Sequence, residues 1–194
     1  MRRIWHWHWH RNWHRHSRRG ATLAELLTCV AVLAILAALA FPSWQRLQAR
    51  QQVMLAADRL AGSLAVARSA AIARRSDVVL TPLPGASSLD HGWRLALAPG
   101  DEPDQDNAGL LAVVELRDAC LRIVLRSTAQ GSNTLRMTAV GYSRSEQGGF
   151  LAATFTVTCR GEQRQLRLGA HGRVRLCTPG QDADCDGLAQ SEPP

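Results

Sequence analysis

Near the carboxy terminus five arginines, Arg160, Arg164, Arg167, Arg173 and Arg175, fall within sixteen residues, with Glu162 the only acid among them. A guanidinium keeps its charge and offers donors in a planar fork that fits phosphate and carboxylate oxygens, so such a cluster could hold a polyanion. Side chains alternate along a strand, so Arg173 and Arg175 would share one side about 7 Å apart, with Val174 on the other. That interval is comparable to the step between phosphates along one DNA strand. Gly172, just ahead, permits the tight turn a meander requires. A solvated sheet face, or an edge charged against aggregation, would use the same residues. No Phe, Tyr or Trp lies between the arginines. Base stacking is therefore not indicated, and binding would be sequence-independent and salt-sensitive.

Other reactive groups are fewer. Glu25 stands at the border of a run, Leu26 to Gln45, that carries no charge and is mostly Leu, Ala, Val and Ile. An ionisable group at the edge of hydrocarbon costs several kcal/mol unless paired, which marks it as a functional residue. Cys29 lies inside that run, whereas Cys120, Cys159, Cys177 and Cys185 lie beyond it, an even number suited to an oxidising compartment. Four cysteines allow three pairings. Cys177 and Cys185 could close a short loop, which leaves Cys120 with Cys159. Asp182-Ala183-Asp184-Cys185-Asp186-Gly187 has the spacing that opens a calcium loop, but its twelfth position is Pro193, so an acidic flexible tail is expected instead. His91 and His171 have no nucleophile or carboxylate in a catalytic pattern, and no glycine loop cradles phosphate. No enzyme, cofactor or metal site is expected.

Charge narrows the partner. The net charge is +7, but the first 20 residues hold six arginines and no acid. Without them 17 basic and 16 acidic residues remain, a net of +1, so any nucleic-acid contact must rest on a local patch. The leader also carries an unusual His/Trp tract, Trp5 to His10, of a composition that can bind metal but that reads more simply as a discarded segment.

The elements that must carry these residues follow from periodicity. The uncharged run is long enough to cross a bilayer, and the arginines before it put the leader in the cytoplasm and the remainder outside. A secretory signal cleaved near Ala38-Leu39-Ala40, or a plain anchor, would share those features, but neither accounts for Glu25. After Pro42, apolar residues at 53, 57, 60, 64, 67 and 71 describe an amphipathic helix to about Arg75. Beyond Ser76 short strands are expected at 78–80, 93–97, 110–116, 121–125, 135–140, 153–159, 165–168 and 173–177, with 99–109 a surface loop. One long helix followed by strands gives an α+β class, an antiparallel sheet on a helical spine.

Gly20-Ala21-Thr22-Leu23-Ala24-Glu25-Leu26-Leu27 resembles the processing signal of type IV pilins and type II secretion pseudopilins. The resemblance implies cleavage after Gly20 by a prepilin peptidase, methylation of the new amino terminus at Ala21, and Glu25 as the fifth mature residue. A phenylalanine is usual where Ala21 stands. Pro42 falls at the twenty-second mature position, where pilins carry a kinking proline, so the helix should bend or melt there. Glu25 could pair with the free amine of a neighbouring subunit and so set the stagger of a filament.

Within the pilins, Ala67-Arg68-Ser69, Ala71-Ile72 and Gly92-Trp93 resemble the GspH/FimT group of minor pseudopilins, although Ala70 replaces a usual glutamate. Trp93 reads equally as a core aromatic. Gly172-Arg173-Val174-Arg175 resembles the Gly-Arg-x-Arg motif by which FimT-type minor pilins bind DNA in natural transformation. That likeness implies Arg173 and Arg175 as phosphate contacts, with Arg160, Arg164 and Arg167 as supporting charge and double-stranded DNA as the ligand. The expected organisation is a leader over 1–20, a membrane and assembly helix over 21–43, an amphipathic spine over 44–76, a periplasmic β domain over 77–178 and a tail over 179–194. Expected partners are other pilins or pseudopilins, the prepilin peptidase, the inner membrane and DNA. The alternative is a structural pseudopilin of type II secretion that binds no DNA.

Overall fold

The computed structural model describes residues 22–98, 109–128, 134–145 and 148–186. Gly20, Ala21, the leader, the loop 99–108 and the tail 187–194 lie outside them. The chain divides into two compact units, residues 1–41 and 42–194.

Helix α1, Leu23–Arg74, contributes to both units. It starts at a Thr22 cap that the sequence reading missed: Thr22 Oγ1 accepts the Glu25 amide at 3.3 Å. Glu25 thus lies in the first turn, where an acid complements the helix dipole. From Leu23 to Phe41 every large apolar side chain is exposed, Leu23 by 82%. The apolar window there has a mean hydropathy of 2.5 and none of it is buried, the composition of a membrane span. Of the two effects expected at Pro42, melting does not occur, since the helix is unbroken through it. Proline removes one donor, and the turns on either side keep theirs.

In the second unit α1 buries Ala49, Val53, Ala56, Ala57, Leu60, Ser63, Leu64, Ala67 and Ala71, a stripe at steps of one, three and four. Most are small, so the backbone approaches its neighbours closely. The helix stops in a Schellman motif: Ser76 N–H donates to Ala71 O at 3.2 Å and Arg75 N–H to Ile72 O at 3.3 Å, with Arg75 at φ 51° where glycine is usual.

Among the described residues nine strands follow, in two antiparallel sheets where the pattern suggested one. The first has order β3-β2-β1-β5-β6, from β1 (Val78–Pro82), β2 (Gly92–Leu97), β3 (Leu110–Glu115), β5 (Leu135–Met137) and β6 (Ser143–Arg144). The second has order β4-β7-β8-β9, from β4 (Arg122–Ser127), β7 (Ala153–Cys159), β8 (Glu162–Leu168) and β9 (Val174–Cys177). Both contribute to one hydrophobic core with α1, in which Leu60, Leu64, Trp93 and Phe155 are fully buried.

Specific residues fix this arrangement. Gly92 has φ 125° and its absent Cβ would collide with the carbonyl of Val114 on β3, so only glycine fits there. Trp93 beside it is fully buried, and its indole N–H donates to Ser63 Oγ on α1 at 2.9 Å. The Gly-Trp pair is thus a packing device. Ser143 joins the two sheets: its amide donates to Ala170 O at 3.0 Å and its buried hydroxyl to Leu151 O at 2.6 Å. Cys120 is bonded to Cys159, tying the 116–121 crossover to the end of β7, and the Gln52 side chain on α1 donates to Asp118 in the same crossover at 3.0 Å. Cys177 is bonded to Cys185. Residues 178–186 are therefore no loose tail: they fold into a turn and a short helix α2 (Ala183–Asp186), and Asp182 accepts the Thr178 amide at 2.6 Å.

Candidate nucleic-acid interface

β7 buries alternate residues, Ala153, Phe155, Val157 and Cys159, which puts Thr154, Thr156 and Thr158 on the face turned away from the core. Register then defines the rest of that face. Arg126 of β4 lies opposite Thr154, Thr154 opposite Arg167 of β8, and Arg167 opposite Arg175 of β9. One transverse row, Arg126-Thr154-Arg167-Arg175, therefore crosses all four strands. Arg173 precedes β9 by one residue and shares the parity of Arg175. Arg126, Thr128, Thr154, Arg167, Arg173 and Arg175 line an open groove of about 630 Å³. Ala183 of α2 lines it too, brought to the groove by the Cys177–Cys185 bond.

The electrostatics of the row are unbalanced. The ion pairs among the described residues join Arg117 to Glu115, Arg122 to Asp90 and Arg136 to Asp77, and none involves Arg126, Arg173 or Arg175. Arg167 and Arg175 face each other directly on adjacent strands. Side chains so placed have Cβ atoms about 5 Å apart, and like charges there destabilise the sheet.

Two of the five arginines read as one patch are elsewhere. Arg164 pairs with Val157 on the opposite face of β8, towards the core, and its Nε is buried without a partner beside Arg50 and Val53 of α1. Its even position puts it out of phase with Arg167, so strand alternation separates them. Arg160 has φ 48° and, with Gly161 at φ 86°, forms the two-residue turn of the β7–β8 hairpin. It lies at the far end of β8 from the row. In exchange the fold adds Arg126, whose sequence neighbours give no hint that β4 would pair with β7.

Gly172 has φ 71°, and a Cβ there would collide with the carbonyl of Gly141. Its own carbonyl accepts a hydrogen bond from the Arg68 guanidinium of α1 at 3.3 Å. The glycine of Gly-Arg-x-Arg thus anchors the β8–β9 turn against the helix and aims the next arginine at the groove. Arg68 belongs to the Ala-Arg-Ser run.

The family model for the type II transport protein GspH matches residues 56–180, well over half of the chain. The chain belongs to the GspH family. A fimbrial protein of Pseudomonas aeruginosa is similar, 27% identical over 133 residues, which are 68% of this chain and 82% of that protein. Among solved structures, the type IV minor pilin FimU of Pseudomonas aeruginosa aligns over 66% of this chain and 90% of its own, at 23% identity and a TM-score of 0.48. The minor pseudopilin EpsH of the Vibrio cholerae type 2 secretion system aligns over 67% and 99%, at 14% identity and a TM-score of 0.44. This GspH-family protein is built as one long amino-terminal helix with antiparallel sheets. Its apolar first helix suits membrane anchoring and assembly with other pilins.

Proposed function

We propose that this protein is a FimT-like minor pilin that binds double-stranded DNA through the groove-facing side of its four-stranded sheet. The observation that carries the reading is the Arg126-Thr154-Arg167-Arg175 row with Arg173 beside it, in which three arginines have no ion-pair partner among the described residues. Arg173 and Arg175 are the primary phosphate contacts, and Arg167 and Arg126 extend the charge across the sheet. Contacts of this kind bind the backbone without reading sequence. In a filament, many copies or neighbouring tip subunits would turn weak single contacts into useful avidity.

Assembly follows from the amino terminus. A prepilin peptidase cleaves after Gly20, Ala21 becomes the amino terminus, and Glu25 pairs with the terminal amine of a neighbouring subunit. The inner-membrane helix holds the β domain in the periplasm until the subunit joins the filament. The composition of the 23–41 segment and the arginines ahead of it support this order.

The test is a titration of the full chain in detergent against labelled duplex DNA at several salt concentrations, beside an Arg173→Gln/Arg175→Gln variant. Binding should weaken with salt, and the variant should lower the slope of log affinity against log salt by roughly one to two. If the two proteins bind equally, or neither binds at low salt, the arginines are a solvated face and the structural pseudopilin reading replaces this one.

A further inference from the structure

Beside the groove stands a group of exposed rings that the sequence scatters over thirty residues. Phe150 is 60% exposed and Tyr142 36%, and His171 is exposed as well. The Tyr142 ring meets the His171 ring edge-on at 5.5 Å between centroids and lies 6.1 Å from Phe150. Arg144 lies opposite Phe150 in an antiparallel bridge, with its guanidinium 5.0 Å from the ring centroid. The Arg144 side chain also donates to Gly148 O at 2.7 Å, which fixes it there.

This cluster is continuous with the groove through three connections. Thr128, a groove residue, donates from its hydroxyl to Phe150 O at 3.4 Å. His171 belongs to the turn that Gly169 N–H closes on Arg173 O at 2.9 Å, so it is two residues from a groove arginine. The Ser143 amide bonds Ala170 O in that same turn, which locks the Tyr142 strand against it. These hydrogen bonds hold the ring-bearing segments beside Thr128 and the turn that precedes Arg173.

We propose that the Tyr142-Phe150-His171-Arg144 cluster is a base-stacking subsite for single-stranded DNA, the strand at a frayed or processed end, whose phosphates run into the arginine groove. The inference rests on the groove reading above and adds a second class of nucleic-acid contact to it. An intact duplex keeps its bases stacked on one another and offers the rings nothing. A single strand exposes its base faces, and aromatic rings beside a basic groove are the combination that binds such strands without regard to sequence. Arg144 contributes as a planar cation able to stack on a base or bind a phosphate. Exposed rings on a pilin surface could also meet a neighbouring subunit, and that occupant is one outcome of the test. The arginines beside the rings favour a polyanion.

The experiment measures binding of the full chain in detergent to two fluorescent probes, a short oligothymidine strand and a blunt duplex of equal length. The variants are Phe150→Ala, Tyr142→Ala and, as a conservative control, Phe150→Tyr. Phe150 and Tyr142 are partly or largely solvent-facing, so the alanine variants should fold. Each alanine should weaken the single strand by roughly tenfold, leave the duplex unchanged, and leave Phe150→Tyr close to the unmodified chain. A strand carrying iodinated uracil should cross-link under light to Tyr142, Phe150 or His171. Unchanged single-strand binding in both alanine variants overturns the subsite, as does a cross-link confined to other residues. So does an effect of the alanines on subunit association alone, which would assign the rings to a pilin contact. The Arg173→Gln/Arg175→Gln variant separates the two readings. If it binds both probes normally while Phe150→Ala still loses the single strand, the groove fails and the rings stand. If neither probe binds the unmodified chain at low salt, both fall.

Discussion

Arg122 and Arg126 lie on one face of one strand, four residues apart, and the molecule treats them differently. Arg122 reaches Asp90 at 3.9 Å and donates to the carbonyls of Leu121 at 2.9 Å and Ala119 at 3.3 Å. Arg126 has no ion pair among the described residues and faces the groove. The five-stranded sheet pairs arginines in the same way as Arg122. In the five-stranded sheet Arg94 donates to Thr81 at 3.1 Å, and Asp77 serves both Arg136, at 3.6 Å, and the Ala139 amide, at 3.1 Å. In the four-stranded sheet Arg126 and Arg175 have no ion pair among the described residues, although Arg122 of the same sheet does. Arg122, Arg94 and Arg136 each find an oxygen in the fold. No ion pair among the described residues reaches Arg126, Arg173 or Arg175, and the DNA-binding proposal rests on that contrast.

The comparison requires that the five-stranded side be held by its own internal partners, and truncating its anchor gives the largest effect. Trp93→Ala removes a fully buried indole and the hydrogen bond it donates to Ser63, whose hydroxyl keeps its bond to Arg59 O at 2.9 Å. Urea unfolding of the full chain in detergent should show a loss of about 3–5 kcal/mol. A loss under about 1 kcal/mol would mean the core closes without Trp93. Asp77→Ala comes next. Its carboxylate accepts a backbone amide and holds Arg136 on a partly exposed surface, so the hydrogen bond should dominate the ion pair. A loss of about 1–3 kcal/mol is expected by the same measurement. A neutral result would break the contrast between paired and unpaired charge.

How much of this was legible depends on the range of the signal. The stripe from Val53 to Ala71 was readable because helical period is local. Most strands were readable for the same reason, and so was the parity of Arg173 and Arg175. Strand neighbours were not. Nothing near Arg126 says that β4 lies beside β7, because that pairing depends on a crossover between sheets. Clustering by sequence distance also misled: Arg164 and Arg167 are three apart, an odd step, so they occupy opposite faces. Alternation alone could have separated them. Arg160-Gly161 between two alternating runs was a readable hairpin turn, and it assigns Arg160 to a tip. The rings were hidden most deeply. No aromatic stands between the arginines in sequence, yet Ser143 ties the Tyr142 strand to the turn before Arg173. Only long-range hydrogen bonding brings stacking chemistry to the groove.

The smallest expected effect is the sharpest test of the comparison, because its sign decides it. Arg175→Gln keeps the length and polarity of the side chain while removing one of two opposed cations. If the row is kept for a ligand, the unliganded protein carries that repulsion as a cost, and the variant should be more stable. The gain should be about 0.2–1 kcal/mol at low salt, and it should shrink as salt screens the pair. Arg122→Gln, on the paired side, should lose stability or stay level, since it gives up two carbonyl contacts and Asp90. Thermal unfolding of both variants beside the unmodified chain, at low and high salt and without DNA, reads the two signs directly. A loss in Arg175→Gln would mean that Arg175 has a stabilising partner in the fold, and the row would then belong with the structural cations. A gain that accompanies weaker DNA binding would show stability given up for function at a single position, the relation expected of charges arranged for a polyanion rather than for the sheet.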